Sequence, residues 1–360
     1  MKFFFLGIIV GAAASLFLFT PTAGIEIYPE WHAGIHAVNN LDPSGKQYPE
    51  HTRFFVRAEQ NYYLLQGNGR TAVSGNIADG LAAFSGNGAY YVKYQKVGSD
   101  IEFYNSRGDR FWKLESLEYP YLSYKGNLIF LLNGDHSSVR FIDNNGNEIG
   151  SKTVSGRTCT ALSFSDHGDY GGIGFVDGSY HIINASGRVI NQGSAPEGAM
   201  VKGIAESGNG RYAALHYGNS QKDNVRIIEI SSGDHNDVAL NHIHAVKTTL
   251  HITDDGYCTI FDVDKILYIT DSGKIKYGIT IPKKRPGHSA ISFRKGIYAA
   301  SYTTQNGSSM LYIFKENGVV LFSKEFPAES FLDAVIKSDL VFLRGSNNLF
   351  CYSINRREPE

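Results

Sequence analysis

The chain has 360 residues, a net charge of −1 and a pI near 6.9. That balance provides no basic stripe for phosphates and speaks against a nucleic-acid partner. Charged residues make up 19%, against roughly 25% in an average globular chain, and 22 Tyr, 22 Phe and 39 Gly stand beside 10 Pro, a composition of strands and tight turns rather than helices.

Met1 and Lys2 are followed by an uncharged, mostly apolar run over residues 3–20. The run exceeds the apolar core of about 7–15 residues in a signal peptide and is just long enough to cross a bilayer. With Lys2 held in the cytoplasm, everything after Thr20 lies outside. Residues 1–23 are therefore expected to be a single-pass signal anchor, or a cleaved signal peptide if Thr22-Ala23-Gly24 is processed. The expected location is the cytoplasmic membrane, with the body on its periplasmic or extracellular face, or free in that compartment after cleavage. No Cys follows the run, so lipoprotein processing is not indicated. Residues 24–52 carry Pro29, Pro43 and Pro49 and read as a linker or stalk, with Tyr28, Trp31 and His32 near the lipid headgroups or packed on the body.

From residue 53 onward one pattern recurs. Ile101–Leu114 reads as a strand, a tight turn at Asn105–Gly108 and a second strand. The same apolar run closing on glycine returns at Gly69, Gly146, Gly187, Gly233, Gly273 and Gly318. Successive corner glycines stand 38–46 residues apart, matching the period of about 40–45 residues of one four-stranded propeller blade. A second hairpin precedes most corners, at residues 81–94, 120–132, 160–176, 202–217, 250–263 and 289–302, and another lies at 332–345. These are expected to be strands a and b of each blade, with the corner joining c and d. Residues 55–70 and 342–356 resemble each other as b, c and the start of a corner, Arg356 standing where glycine is expected. Eight blades follow if a strand near Ile25–Tyr28 completes the last one, and seven if the two chain ends share a blade. The expected fold is all-β: one N-terminal transmembrane or signal helix, then a single β-propeller over 53–360 with four-stranded antiparallel blades, eight rather than seven.

The Ser-x-x-Gly hairpins at Phe84–Tyr91 and Ser207–Ala214, each followed by a glycine corner, resemble the WD-repeat and quinoprotein-like β-propellers. The chain is most similar to membrane-anchored bacterial propellers that stand outside the cytoplasmic membrane. The resemblance covers about residues 54–356 and is one of repeat grammar. The Trp-Asp dipeptide is absent, and Gly-His opens a repeat only at Gly287–His288. Trp112 is the only Trp in the repeats, so the tryptophan-docking motifs of quinone-binding members are missing and quinone-dependent dehydrogenase activity is not implied. The family includes an outer-membrane assembly lipoprotein, a scaffold without active-site chemistry, which implies a scaffold here.

Candidate chemistry is sparse. His242-Ile-His244 on a strand would put two imidazoles on one face and, with His251 or His235, would suit zinc; the plainer reading is two half-exposed histidines between blades. Asp262-Val-Asp264 and Asp254-Asp255-Gly256 resemble fragments of calcium loops but lack the full spacing, and read as turns. Ser165, His167 and Asp169 share one short loop, whereas triad members converge from separate segments. Gly67-Asn68-Gly69 and Gly86–Gly88 join strand to strand, not strand to helix as phosphate cradles do. Lys283-Lys284-Arg285 is the sole basic cluster and reads as an exposed inter-blade loop. Cys159, Cys258 and Cys351 have no CxxC spacing and read as buried strand residues.

The function expected is a non-enzymatic, membrane-tethered, extracytoplasmic scaffold for protein–protein interaction in the cell envelope, its partners being envelope proteins and, through residues 3–20, the membrane. The alternative is a ligand-binding or hydrolytic propeller with its site in the central channel. That site needs charged residues converging from the inner strands, and LAAFS, YLSY, ALSF and AISF are poor in charge. No catalytic, cofactor-binding or metal-ligating residue is assigned, and no cofactor is expected.

Overall fold

Apolar hairpins separated by glycine turns assemble, among the described residues, into eight antiparallel sheets that form the blades of a propeller. The computed structural model describes residues 24–40, 47–49, 52–58, 60–77, 80–95, 97–245 and 247–356. Blade 1 holds three strands, Phe54–Ala58, Asn61–Leu65 and Thr71–Asn76. In the other blades the innermost strand a is Leu81–Phe84 in blade 2, Tyr119–Leu122 in blade 3, Cys159–Phe164 in blade 4 and Met200–Glu206 in blade 5. It is Leu250–Ile252 in blade 6, Lys284–Arg294 in blade 7 and Leu332–Lys337 in blade 8. Strands b, c and d follow by antiparallel hairpins. Among the described residues no helix is long and apolar enough to cross a membrane, and the span expected over 3–20 lies outside them.

The ring closes through the chain's two ends. Strands a to c of blade 8 are Leu332–Lys337, Leu340–Gly345 and Asn348–Arg356, and its strand d is the early segment Ile25–Gly34. Ile25 pairs with Arg356 and Gly34 with Asn348. Eight blades, with an early strand completing the last one, is thus the arrangement found. Blade 1 shows three strands among the described residues, where the other seven show four. One expectation is corrected. The stalk expected over 24–52 is, across Ile25–Gly34, an integral strand of the ring. Trp31 consequently packs on the body, against Phe54 and Phe342, at the junction of blades 8 and 1.

Burial follows from stacking. Strand b is sandwiched between two neighbouring blades, so both of its faces are buried: Ile129–Leu132, Tyr212–Gly218 and Ile297–Thr304 are buried throughout. Strand d is outermost and alternates, as Arg110–Glu115 and Ile275–Thr280 do. The seven corner glycines all adopt positive φ, for example +91° at Gly108 and +83° at Gly146, where an L side chain would be strained.

Those corners also receive the neighbouring blade. Trp112, on strand d of blade 2, donates its indole N–H to Asn144 O in the blade 3 corner, at 2.9 Å. Tyr277 of blade 6 donates to Glu316 O of blade 7 at 2.6 Å. Asn191 of blade 4 donates to Ile230 O, Asn236 of blade 5 to Asp271 O, and Trp31 of blade 8 to Gly67 O. The corner glycine makes room: a Cβ on Gly146 would lie 3.1 Å from the Trp112 ring, and one on Gly318 would lie 2.8 Å from Tyr277. Strand-d docking is therefore present, with Tyr and Asn standing in for Trp.

Two consequences are measurable by thermal or urea unfolding. Trp112→Ala, which loses both the bond to Asn144 and the stack on Phe103, is expected to destabilise by about 2–4 kcal/mol, and Gly146→Ala by about 1–2 kcal/mol. Removal of residues 338–360 strips blade 8 of strands b and c, leaving strand edges open, and is expected to give aggregated protein. A monomeric product with an unchanged melting temperature would contradict this closure.

Candidate functional site

Propeller sites form at the channel, lined by the strands a, or on the face carrying the b–c turns and inter-blade loops. The strands a are not uniformly free of charge: blade 5 carries Lys202 and Glu206, blade 6 His251, and blade 8 Asp333 and Lys337. Lys202, Glu206, His251 and Lys337 are buried, whereas the Asp333 side chain is partly exposed beside blade 1.

Glu206 is buried against blade 4, where Ser163 donates its hydroxyl to the carboxyl oxygens at 3.0 and 2.9 Å. Gly172 provides the space, since a Cβ there would overlap the Glu206 carboxyl. Burial pushes this carboxyl up to about 8, with the Ser163 bond opposing, so at neutral pH it is predominantly a neutral acid. His251 meets Asp166, from the a–b turn of blade 4, at 2.8 Å. Asp166 also borders a mixed-charge hollow with His167, Asp254, Asp255, Arg294 and Lys295.

Blade 1 is the exception in the channel wall. Among the described residues its innermost strand is Phe54–Ala58, which in every other blade would be covered by a strand a. A notch of about 280 Å³ remains, lined by Phe55, Phe84, Val335, Lys337, Asp333 and Arg344. Val335 is 41% exposed in it. Phe55 stacks on Phe84 with ring centroids 4.1 Å apart. Lys337 reaches across from blade 8, donating to Arg53 O and to Gly86 O. Burial, assisted by the charge of Arg294, lowers this amine to about 7.

The loop face carries a polar network at blade 5. Asp223, fully buried, opens strand c. It accepts from Lys202 Nζ at 2.6 Å, from His216 Nε2 at 3.1 Å and from the His244 backbone N–H at 2.8 Å. Burial would raise its pKa, but the bonds from His216, His244 and Lys202 outweigh burial and hold it well below the carboxylate range. Burial lowers His216 despite Asp223, so the ring is neutral; it donates from Nε2 and accepts the Thr248 hydroxyl at Nδ1. Lys202 also donates to His244 O at 2.7 Å, tying the 240–249 loop to the blade.

The remaining candidates fall as follows. His242 and His244 lie in the 240–249 loop, not on a strand. Neither His235, exposed on Gly233 O, nor His251 joins them; Asp262 does, at 3.0 Å from His242 Nδ1. Asp254 accepts the Asn209 backbone N–H, and Gly256 closes its turn on Thr253 O. Ser165 accepts the Tyr170 N–H and Asp169 pairs with Lys125 at 2.7 Å, so the 165–169 loop forms no triad. Gly69 and Gly88 are positive-φ turn glycines joining strand to strand. Within Lys283-Lys284-Arg285 the expected exposure holds for Lys283 and Arg285, but Lys284 is 5% exposed, its ammonium near the Phe261 ring. The three thiols are free; Cys258 and Cys351 are buried and Cys159 half-buried. Sequence reasoning missed Glu206 and Lys337, whose partners lie one or more blades away, and Asp223, whose partners are spread over strands a and b of its own blade and the loop that follows; it also missed the docking residues, although Trp112, Asn191 and Tyr277 each stand four places after a corner glycine.

The chain matches the family described as beta-propeller protein over residues 3–344, and it belongs to that family. Among solved structures it is similar to BamB from Moraxella catarrhalis, with a TM-score of 0.61 and 11% identity over 93% of this chain and 99% of that one. It is also similar to Kuenenia stuttgartiensis hydrazine synthase, with a TM-score of 0.51 and 12% identity over 78% of this chain and 95% of that one. No curated protein matches the sequence. The propeller resemblance of the repeats is thus matched by the family model and by the fold.

The two displaced pKa values give stability opposite pH slopes. Glu206, raised from 4.5 to about 8, favours the folded state fully below pH 4.5 and loses that contribution as pH rises toward 8. By pH 7 the loss is about 3 kcal/mol. Lys337, lowered from 10.5 to about 7, is protonated more readily in the unfolded chain, so stability rises with pH across that interval. Urea unfolding against pH is expected to lose the acidic-side decline in Glu206→Gln and the alkaline-side rise in Lys337→Met.

Proposed function

We propose that the protein is a non-enzymatic scaffold of the cell envelope, tethered through residues 3–20 with its propeller outside the cytoplasm, and that it grips an extended segment of an envelope protein in the notch of blade 1. The notch carries this reading. Among the described residues no strand lies on the inner side of Phe54–Ala58, and an extended segment laid there would pair with its backbone while its side chains fill flanking pockets. Phe55, Phe84 and Val335 provide an apolar floor, and Asp333 and Arg344 provide charges at the rim. Among the other inner strands Glu206 bonds to Ser163 and Lys202 to Asp223 within the wall, which favours recognition over chemistry in the channel. The likeness to BamB supports a scaffold at the level of fold. A membrane tether would raise the local concentration of such a binder near envelope partners.

Affinity capture from membranes tests the proposal. Full-length protein is expected to retain a defined envelope partner, and Val335→Arg, which fills the notch from an exposed position, is expected to lose it with little change in melting temperature. A reporter fused after Glu360 should be active only outside the cytoplasm. Equal capture by Val335→Arg would remove the notch from the proposal, and reporter activity inside the cell would remove the location.

A further inference from the structure

Beside the Asp223 network lies a second cluster with a different character. The 240–249 loop, which leads from blade 5 to blade 6, meets the b–c turn of blade 6 at 262–264. His242 Nδ1 is 3.0 Å from Asp262 Oδ1, and His244 Nε2 is 3.7 Å from the same oxygen. His242, Asp262 and Asp264 each place a ligand atom within 4.8 Å of the others. Asp262 is fully buried and His244 is 6% exposed, whereas the His242 side chain is 38% exposed and opens the cluster to solvent.

Three buried atoms here lack any hydrogen-bond partner: His244 Nε2, Asp262 Oδ2 and Asp264 Oδ1. In the adjoining network both oxygens of Asp223 are occupied. A buried carboxylate oxygen with no partner is strongly disfavoured. Lys284 is the buried cation whose field reaches Asp262, yet it leaves Oδ2 without a hydrogen bond. The tautomer of His244 sharpens the point. Its Nδ1 is 3.2 Å from the ionised Asp223 carboxylate, to which it donates a proton. Its Nε2 has no hydrogen-bond partner and lies 3.7 Å from Asp262 Oδ1. Two electron-rich atoms held face to face call for a cation between them. An imidazole that donates one N–H to a carboxylate and turns its other nitrogen inward is the arrangement of a metal-ligating histidine.

We propose that His242, His244, Asp262 and Asp264 bind a divalent transition-metal ion of the zinc class. Two imidazole nitrogens and two carboxylate oxygens form a four-ligand set for such an ion, and the imidazoles disfavour calcium and magnesium. Bonds of about 2.0–2.1 Å to a tetrahedral ion separate ligand atoms by roughly 3.3 Å, close to the separations found around Asp262. The ion would pin the inter-blade loop to blade 6. The site stands independently of the scaffold proposal, since it lies on the loop face and shares no residue with the blade 1 notch.

The test uses untagged full-length protein in detergent, stripped with chelator and titrated with ZnCl2 in a competition assay, with CoCl2 as a spectroscopic probe. The expected result is one zinc per chain, a visible absorption band of tetrahedral cobalt, and a rise in melting temperature on adding zinc. His242→Ala combined with Asp264→Asn changes the two less buried ligands; it is expected to weaken zinc binding by about 100-fold or more, abolish the cobalt band and leave the far-ultraviolet spectrum unchanged. His235→Ala, an exposed histidine outside the cluster, should bind as wild type. No zinc bound at about 100 μM, an undiminished affinity in the double variant, or an equal loss in His235→Ala would overturn the assignment.

Discussion

The docking of one blade's outer strand onto the next blade's corner is the contact on which the rest of the ring depends. It needs two things at once. The corner must turn through a positive-φ glycine so that a carbonyl faces the neighbour, and the neighbour must carry a side chain able to donate to it. Trp112 and Tyr277 do this with an aromatic face as well as a donor, and each stacks inward, on Phe103 and Tyr268 respectively. Asn191 and Asn236 supply the donor alone. Each bond is worth about 1 kcal/mol, but the contact also sets the angle between blades. That angle determines how many blades complete the circle.

Closure then joins segments from opposite ends of the chain. The pairing of Ile25–Gly34 with Asn348–Arg356 brings the first described strand beside the last, so the ring is completed only when nearly all of the chain is in place. Loop-closure entropy makes such non-local pairing costly until the intervening blades are formed. Blade 1 sits beside this seam. Its inner edge is bridged by Lys337 from blade 8 to Gly86 of blade 2, a side chain spanning where other blades place a strand. The notch and the seam thus arise from the same feature of the topology, the starting point of the repeat along the chain.

The buried ionisable groups share one logic. Stacked blades exclude water, so each charge must be neutralised or supplied with partners. Glu206 holds a proton and Lys337 sheds one readily, while Asp223 stays ionised because three groups converge on it. Asp262 is fully buried with its Oδ2 unpartnered, and that contrast with Asp223 marks it as the unusual position on the loop face. Such groups add little net stability but penalise any shift of one blade against its neighbour, because a shift would leave a buried group unpaired.

The local features were legible in the sequence because they are written within one repeat. Alternation of apolar residues identifies the strands, and the glycine at each corner identifies the c–d turn, as at Asn105–Gly108 and Asp143–Gly146. The period of these signals points to blades, and the likeness of 55–70 to 342–356 placed the closing blade. What the sequence could not show is which residues face each other across blades. Ser163 and Glu206, or His244 and Asp262, lie in separate hairpins, and their approach depends on the rotation between sheets. Nor do Pro29 and Trp31 distinguish a stalk from a strand, since Trp31 packs into the ring only once Phe54 and Phe342 are brought beside it. Chain-local patterning determined strands, turns and the period of one blade; the packing of blade on blade decided eight blades over seven, the notch, the buried charges and the His–Asp cluster, because those are set by inter-blade geometry that no single repeat contains.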